Sequence, residues 1–211
     1  MKIYYFDVYG RAEALRFLLT HAKVEYENVN INKEKMEEMT EKGELEFGLV
    51  PVVEHDGKFY NQSAALLRML GRKYGYYDDK DIEGCYLMDS FASSVEDTFE
   101  RYYKVMQAKS DEERKEIMTE FVSNYFPKWL SKIEKRLEVN GSEGHLVGDK
   151  YTIIDFGFAS ILFSVIYNEA HQGSAHLKPI YEQFPRLTKY AAALRTDFES
   201  YLKSRPQPRP I

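Results

Sequence analysis

Tyr5 and Arg11 are the two side chains of this 211-residue chain whose types and placement could do chemistry together. Tyr5 stands near the end of the strand-like run Ile3-Tyr4-Tyr5-Phe6, and Arg11 stands where a periodic apolar stretch begins. In an α/β unit, ligands gather at the carboxyl ends of strands and against helix N-termini, where unpaired backbone N–H groups favour anions. A phenol hydroxyl and a guanidinium bracketing such a point could hold an anionic group. Taken singly, each residue also has a plain reading. Tyr5 is one of 17 tyrosines and fits a half-buried strand position, and Arg11 fits a surface charge at a helix start.

The other chemistry-bearing residues assemble into no recognisable device. His21, His55, His145, His171 and His176 are scattered without the spacing of metal ligands, so no metal site is expected. Gly10, Gly43, Gly48 and Gly57 form neither a dinucleotide fingerprint nor a phosphate loop, and no serine elbow with an ordered His and Asp is present. Cys85 is the single cysteine, which excludes an intramolecular disulfide, and it falls inside an expected helix as a small buried hydrophobe. Composition points the same way: 44% hydrophobic, 30% charged and only 12 Gly and 7 Pro describe a globular chain. A formal charge of −5 with interspersed signs argues against nucleic acid or an anionic membrane as a partner. The chain opens Met1-Lys2 and runs into a strand without the apolar stretch of a secretory signal, so a cytoplasmic protein is expected. The apolar run from Phe156 to Tyr167 is well short of the ~20 residues that span a bilayer and reads as a buried helix.

The elements that must position Tyr5 and Arg11 follow from periodicity. Leu15, Leu18, Leu19 and Ala22 form one helical stripe, and Glu27 to Asn32 alternates with Val29 and Ile31 on one face, giving strand, helix, strand. Val50 to Glu54 and Phe59-Tyr60 read as a hairpin around Asp56-Gly57. Ser63 is the expected N-cap of a further helix through Leu67, Leu70 and Tyr74. The order is βαβ, then ββα. Beyond Gly75 to Asp81 the strand signal stops. Met88, Phe91, Val95, Phe99 and Tyr102 mark a long helix, Ser110 to Glu113 and Thr152 to Asp155 are capping boxes, and Leu187, Tyr190, Ala191 and Leu194 mark a last amphipathic helix. Pro127 is expected to kink or end the helix opened at Ser110, and Arg205 to Ile211, with three prolines, cannot be helical.

Tyr5-Phe6-Asp7-Val8-Tyr9-Gly10-Arg11-Ala12-Glu13-Ala14-Leu15-Arg16 resembles the first strand and helix of the tyrosine-type cytosolic glutathione S-transferases. Phe47 to Val53, Asp56-Gly57 and Asn61 to Ala65 resemble that family's glutathione-binding stretch in order and spacing. Glu96-Asp97, Leu146 to Lys150 and Thr152 to Asp155 also fall where the family has counterparts, so the resemblance covers nearly the whole chain. The class it is most similar to is sigma, with pi, alpha and mu related.

The resemblance implies a thioredoxin-like α/β domain over 1–76 and an all-α domain over 82–211, assembled as a homodimer. It implies a transferase that uses reduced glutathione as cosubstrate, with no bound cofactor, to conjugate small apolar electrophiles in detoxification. Tyr5 would donate its hydroxyl to the glutathione thiolate, with Arg11 assisting. Val50, ahead of a cis Pro51, would pair its backbone with the cysteinyl part, Gln62 and Ser63 would hold the γ-glutamyl carboxylate, and Lys42 the glycyl carboxylate. Asp97 would reach the glutamyl amine of the neighbouring subunit. Phe6, Val8, Phe99, Tyr102 and Tyr103 would line the second-substrate cleft, and Phe47 would be an interface key or intrasubunit core. Three positions depart from the family pattern: Glu38 where sigma-like members often have tryptophan, Leu49 where many have Lys or Gln, and Tyr9 where Arg or Gly is frequent, a change expected to reshape the second-substrate pocket. A glutathione-dependent isomerase of the prostaglandin D synthase kind, or a non-catalytic family member, remains an alternative reading.

Overall fold

In the computed structural model, residues 1–142 and 144–206 are described, with Met106 described in its backbone alone. The chain opens with a four-stranded sheet in the order β2-β1-β3-β4. β1 (Lys2–Tyr5) pairs parallel with β2 (Glu27–Asn30), Ile3 standing opposite Asn28, and antiparallel with β3 (Val52–His55), Ile3 standing opposite Val53. β3 and β4 (Lys58–Asn61) form the expected hairpin. Asp56 and Gly57 both hold positive φ, 52° and 74°, which matches the right-handed twist of the strands they join.

α1 (Glu13–His21) connects the parallel strands, entered through a 3₁₀ turn at Gly10–Ala12, and buries Leu15, Phe17, Leu18 and Leu19. α2 (Lys33–Glu41) is a helix without an expectation in the sequence. Its residues are mostly charged and only Met39 is buried, so no apolar stripe announces it; with Ile31, Leu45 and Val52, Met39 forms a small second core. β2 ends at Asn30, and Asn32 already caps α2, its side-chain oxygen accepting from Lys35 N–H at 2.8 Å. α3 (Ser63–Tyr74) closes this half. Ser63 is its first residue and not its cap: Gln62 is the cap, at φ 72° and without a side-chain capping bond.

The second half is helical: α4 (Ile82–Gln107), α5 (Asp111–Glu120), α6 (Phe126–Asn140), α7 (Ile153–Ile161), α8 (Ser174–Tyr181), α9 (Pro185–Asp197) and α10 (Glu199–Ser204). Ser110 caps α5 as expected, while Glu113 returns its carboxylate to Lys109 N–H and not to Ser110. α5 ends before Pro127 is reached. A five-residue π turn, Phe121–Tyr125, follows it, and the proline sits in the first turn of α6, where its missing N–H costs nothing. The expectation for the tail falls mostly on 207–211, outside the described residues.

α7 is the central helix. All its residues except Gly157 are buried, and it packs against α1, α3 and α4, joining the two halves. Its start is fixed by Asp155, fully buried, whose carboxylate accepts from Leu146 N–H, Thr152 N–H, the Thr152 hydroxyl and the Tyr190 hydroxyl at 2.6–3.0 Å. Among the described residues, no helix is long and apolar enough to cross a membrane. Because one carboxylate satisfies four donors, Asp155→Ala should lower the unfolding free energy by about 3–5 kcal/mol, against about 1–2 kcal/mol for Thr152→Ala, which removes the cap and one of those four donors. Urea denaturation checks this, and equal losses for the two variants would show that the carboxylate does no more than cap the helix.

Candidate active site

Arg16 fixes the loop between Tyr5 and Arg11. This buried guanidinium of α1 donates to the carbonyls of Val8 and Tyr9, each at 3.2 Å, to Asn28 of β2 and to Glu13. Thus held, the chain turns at Gly10, and Arg11 N–H donates to Tyr5 Oη at 3.0 Å. Tyr5 is only 7% exposed. Burial pushes its pKa up, opposed by the Arg11 N–H bond, so near neutral pH the phenol keeps its proton and one O–H donor remains for a group outside the protein. Gly10 is required for this contact: it holds φ 42°, and a Cβ there would lie 2.5 Å from Tyr5 Oη.

Tyr5 opens on a groove of about 690 Å³. Phe6 and Val8 form one wall, and Phe47, Leu49 and the cis pair Val50-Pro51 form another. Asn61, Gln62 and Ser63 close the end at the N-terminus of α3, with Arg11, Glu96 and Tyr103 opposite. Gln62 is exposed and holds the strained positive φ noted above, a conformation that clusters at ligand sites. Arg11 is ion-paired to Glu96 and lies 5.3 Å from the Phe99 ring centre and 5.8 Å from that of Tyr103.

A second pocket, about 300 Å³, adjoins the groove at Tyr103, which lines both, and runs into the helical half. Phe99, Tyr102 and Tyr103 line it, joined by Phe121, Phe126, Ile161, Val165, Ile166 and Leu177. The wall is mainly apolar.

Of the expected site residues, the groove gathers Tyr5, Phe6, Val8, Arg11, Leu49, Val50, Pro51, Gln62, Ser63 and Tyr103. Phe6 and Val8 therefore face the groove and not the deeper apolar pocket. Lys42 lies outside the groove, exposed and ion-paired to Glu38, and Asp97 is exposed and also outside it. Tyr9 corrects its expectation. It is 1% exposed, lines neither the groove nor the apolar pocket, and donates its hydroxyl to Pro206 C=O at 2.6 Å beneath the Arg205 guanidinium. Phe47, 57% exposed, is not core, and Cys85 is half-buried with its thiol donating to Asp78 C=O. Glu96 and Gly10 are the residues the sequence reading left without a role. Glu96, Phe99 and Tyr103 are spaced i, i+3, i+7, one helix face, which is the signal that could have placed Glu96 opposite Arg11. Among the described residues, no cluster of three His, Cys, Asp or Glu could hold a metal ion.

Comparison with known proteins agrees with this geometry. The family description "Glutathione S-transferase, N-terminal domain" matches residues 1–72, and "Glutathione S-transferase, C-terminal domain" matches residues 96–205. Glutathione S-transferase A of Cavia porcellus is 34% identical over 166 residues, 77% of this chain and 74% of that one. The chain belongs to the glutathione S-transferase family. A glutathione S-transferase of Anopheles gambiae is 28% identical over 97% of this chain and 96% of its own length. The structure of monomeric Na-GST-3 from Necator americanus superposes with a TM-score of 0.82 at 25% identity, covering 98% of each chain. The thioredoxin-like N-terminal domain and helical C-terminal domain are those of the family.

Gly10→Ala should destabilise the fold by about 2–4 kcal/mol, combining a positive-φ penalty with displacement of Tyr5. Gly57→Ala, at a comparable φ of 74° with nothing within 4 Å, should cost only about 1–2 kcal/mol. Chemical denaturation of both compares them, and equal losses would mean that Tyr5 does not bear on Gly10.

Proposed function

We propose that this enzyme transfers the thiolate of reduced glutathione to apolar electrophiles, with Tyr5 as the thiolate-stabilising residue. The observation that carries the reading is the Tyr5 hydroxyl: buried, braced by Arg11 N–H, and set where the polar-ended groove meets the apolar pocket. A thiol with pKa near ~8.5 is only a few per cent thiolate at neutral pH. Lowering it by about two units takes ~2.7 kcal/mol of preferential thiolate stabilisation, the scale of one or two charge-assisted hydrogen bonds. The Tyr5 O–H supplies one such bond, and the Arg11 guanidinium supplies positive potential nearby.

The groove accounts for the rest of the tripeptide. Val50 pairs its backbone with the cysteinyl unit as an added strand, beside Pro51 and Leu49. Gln62 and Ser63 take the γ-glutamyl carboxylate, Ser63 at the N-terminus of α3, where an anion is favoured. Lys42 takes the glycyl carboxylate only by turning from Glu38. The electrophile lies in the pocket of Phe99, Tyr102 and Tyr103. The thiolate attacks its carbon, the C–S bond forms, and a leaving group such as halide departs with the bonding pair. Glutathione is consumed as cosubstrate, and no cofactor enters.

The wider reading places a sigma-like detoxifying enzyme in the cytoplasm as a homodimer, with Asp97 of each subunit reaching the partner's glutamyl amine. Exposed apolar side chains support the dimer: Phe47 at 57%, Leu49 at 61%, Ile82 at 80% and Tyr86 at 68% exposure offer contact surface to a second copy. Since one relative is described as monomeric, the assembly is measured directly. Sedimentation at micromolar concentration should give about twice the 24.8 kDa chain mass, and a species at 24.8 kDa removes Asp97 from the site.

Conjugation of glutathione to a generic aryl halide, followed over a pH series, tests Tyr5. Tyr5→Phe should lose tenfold or more of the rate near neutral pH, with its profile displaced upward toward the ordinary thiol pKa of ~8.5. The rate in both proteins rises with pH as thiolate forms, so the deficit narrows in alkali. A variant with wild-type rate and profile would remove Tyr5 from the chemistry.

A further inference from the structure

Behind the loop that carries Tyr5 and Arg11 lies a further cavity of about 690 Å³, bounded by α1, the start of β2 and the chain from the end of α9 through α10. It shares no lining residue with the groove or the apolar pocket. Val8 and Arg11 line the groove, Gly10 lines the apolar pocket, and Tyr9, Glu13 and Arg16 line this cavity. Its wall sets the rings of Tyr26, Phe198 and Tyr201 beside the polar side chains of Thr20, Ser200 and Ser204.

The charges around it do not balance. Arg16, Lys23 and Arg205 line the cavity against two carboxylates, Glu13 and Asp197. The deep end carries the imbalance: Glu13, Arg16 and Arg205 are all buried, so one carboxylate faces two guanidiniums in the interior. Burial pushes the Tyr26 and Tyr201 phenols up and the His21 imidazole down, so none of the three adds charge near neutral pH. At the rim Lys23 is exposed, and Asp197 already accepts from the Tyr151 hydroxyl. Arg205 also holds an unused donor. Its Nη1 donates to Glu13 at 2.8 Å and its Nη2 to Phe163 C=O at 2.5 Å, but Nε is buried without a hydrogen-bond partner among the described residues. A surplus positive charge and an orphaned donor are each costly in an interior, and one bound anion relieves both.

We propose that this cavity is an effector site for a small aryl monocarboxylate, its single negative charge meeting the surplus at Arg205 and its ring packing among Tyr26, Phe198 and Tyr201. The site stands whether or not the groove takes glutathione. Its effect reaches the groove through the loop. Arg16 holds the Val8 and Tyr9 carbonyls, the Arg205 guanidinium lies 4.0 Å from the Tyr9 ring centre, and the same segment delivers Arg11 N–H to Tyr5 Oη. An occupant that fixes the two guanidiniums opposes opening of that loop.

The test uses 2-naphthoate and 2-naphthamide, which share one ring system and differ in charge. The full chain should bind the carboxylate roughly tenfold or more tightly than the amide, and Arg205→Gln should abolish that preference. Because Arg205 also braces the fold, Ser200→Trp is the second variant: this exposed α10 residue lines the cavity, and an indole there should weaken naphthoate binding tenfold or more without lowering the unfolding temperature. With naphthoate at about ten times its Kd, hydrogen exchange at the Arg11 amide should slow by up to about tenfold, since the loop then opens only on release of the ligand. Equal affinity for carboxylate and amide, wild-type binding in Ser200→Trp, unchanged Arg11 exchange, or displacement of naphthoate by S-hexylglutathione each overturns the proposal. If S-hexylglutathione fails to bind while the other results hold, the transferase reading falls and the effector site stands.

Discussion

Glu13 is the buried charge on which the two ends of the chain converge. Its carboxylate accepts from Arg16 on one oxygen and from Tyr201 and Arg205 on the other, at 2.8–3.0 Å, with all three charged side chains nearly inaccessible to water. Removing the carboxylate would leave two guanidiniums uncompensated in the interior, an arrangement costing several kcal/mol. The pairing fixes more than stability. Arg16, oriented by Glu13, holds the Val8 and Tyr9 carbonyls, and Arg205 donates to Phe163 C=O and covers the Tyr9 ring. The loop that places Arg11 beneath Tyr5 is thus clamped from both sides by groups that touch no part of the groove.

The apolar core performs the complementary task. α1 packs on α7, and α7 is fixed at its start by Asp155 and its four donors, so the helical half cannot slide along the sheet half without breaking buried hydrogen bonds. Packing at interior density is not continuously deformable. Two surfaces from different halves, the Tyr5 end of β1 and the Phe99–Tyr103 face of α4, therefore meet in one reproducible geometry, which chemistry between two bound molecules requires.

What was legible in the sequence had a period or a paired motif. The α1 stripe, the Asp56-Gly57 hairpin and the Thr152–Asp155 box each state their structure within a few residues, and the Tyr5–Arg16 stretch carries the site's centre with them. α2 was illegible because a helix that buries one methionine has no stripe to read. Ser63 misled because its residue type suits a cap, while Gln62 takes the cap position through a strained backbone that propensity disfavours. Tyr9 misled for a different reason. Its neighbours in sequence face the groove, but its fate is decided by Arg205, nearly two hundred residues away, and contacts at that separation leave no local trace. Glu96 was visible as a motif member, but its role appears only when α4 is laid against the 3₁₀ turn that carries Arg11.

The groove and the pocket differ in how their residues are distributed, and this bears on which of them can change. The thiolate stabilisation proposed above would draw on Tyr5, Gly10 and Arg11, a short segment locked by Arg16. The apolar pocket draws on α4, α6, α7, α8 and both π turns, with most positions filled by interchangeable hydrophobic side chains. Substitutions there alter shape at modest cost while leaving the Tyr5 geometry intact, because volume-conserving changes in apolar walls are tolerated. Arg11 is the exception that couples the two. Its backbone N–H braces Tyr5, and its guanidinium pairs with Glu96 and rests over Phe99 and Tyr103. Any change that repositions this face of α4 therefore also changes the charge environment of the Tyr5 hydroxyl, so selectivity evolved at Phe99 or Tyr103 is constrained by the chemistry it must serve.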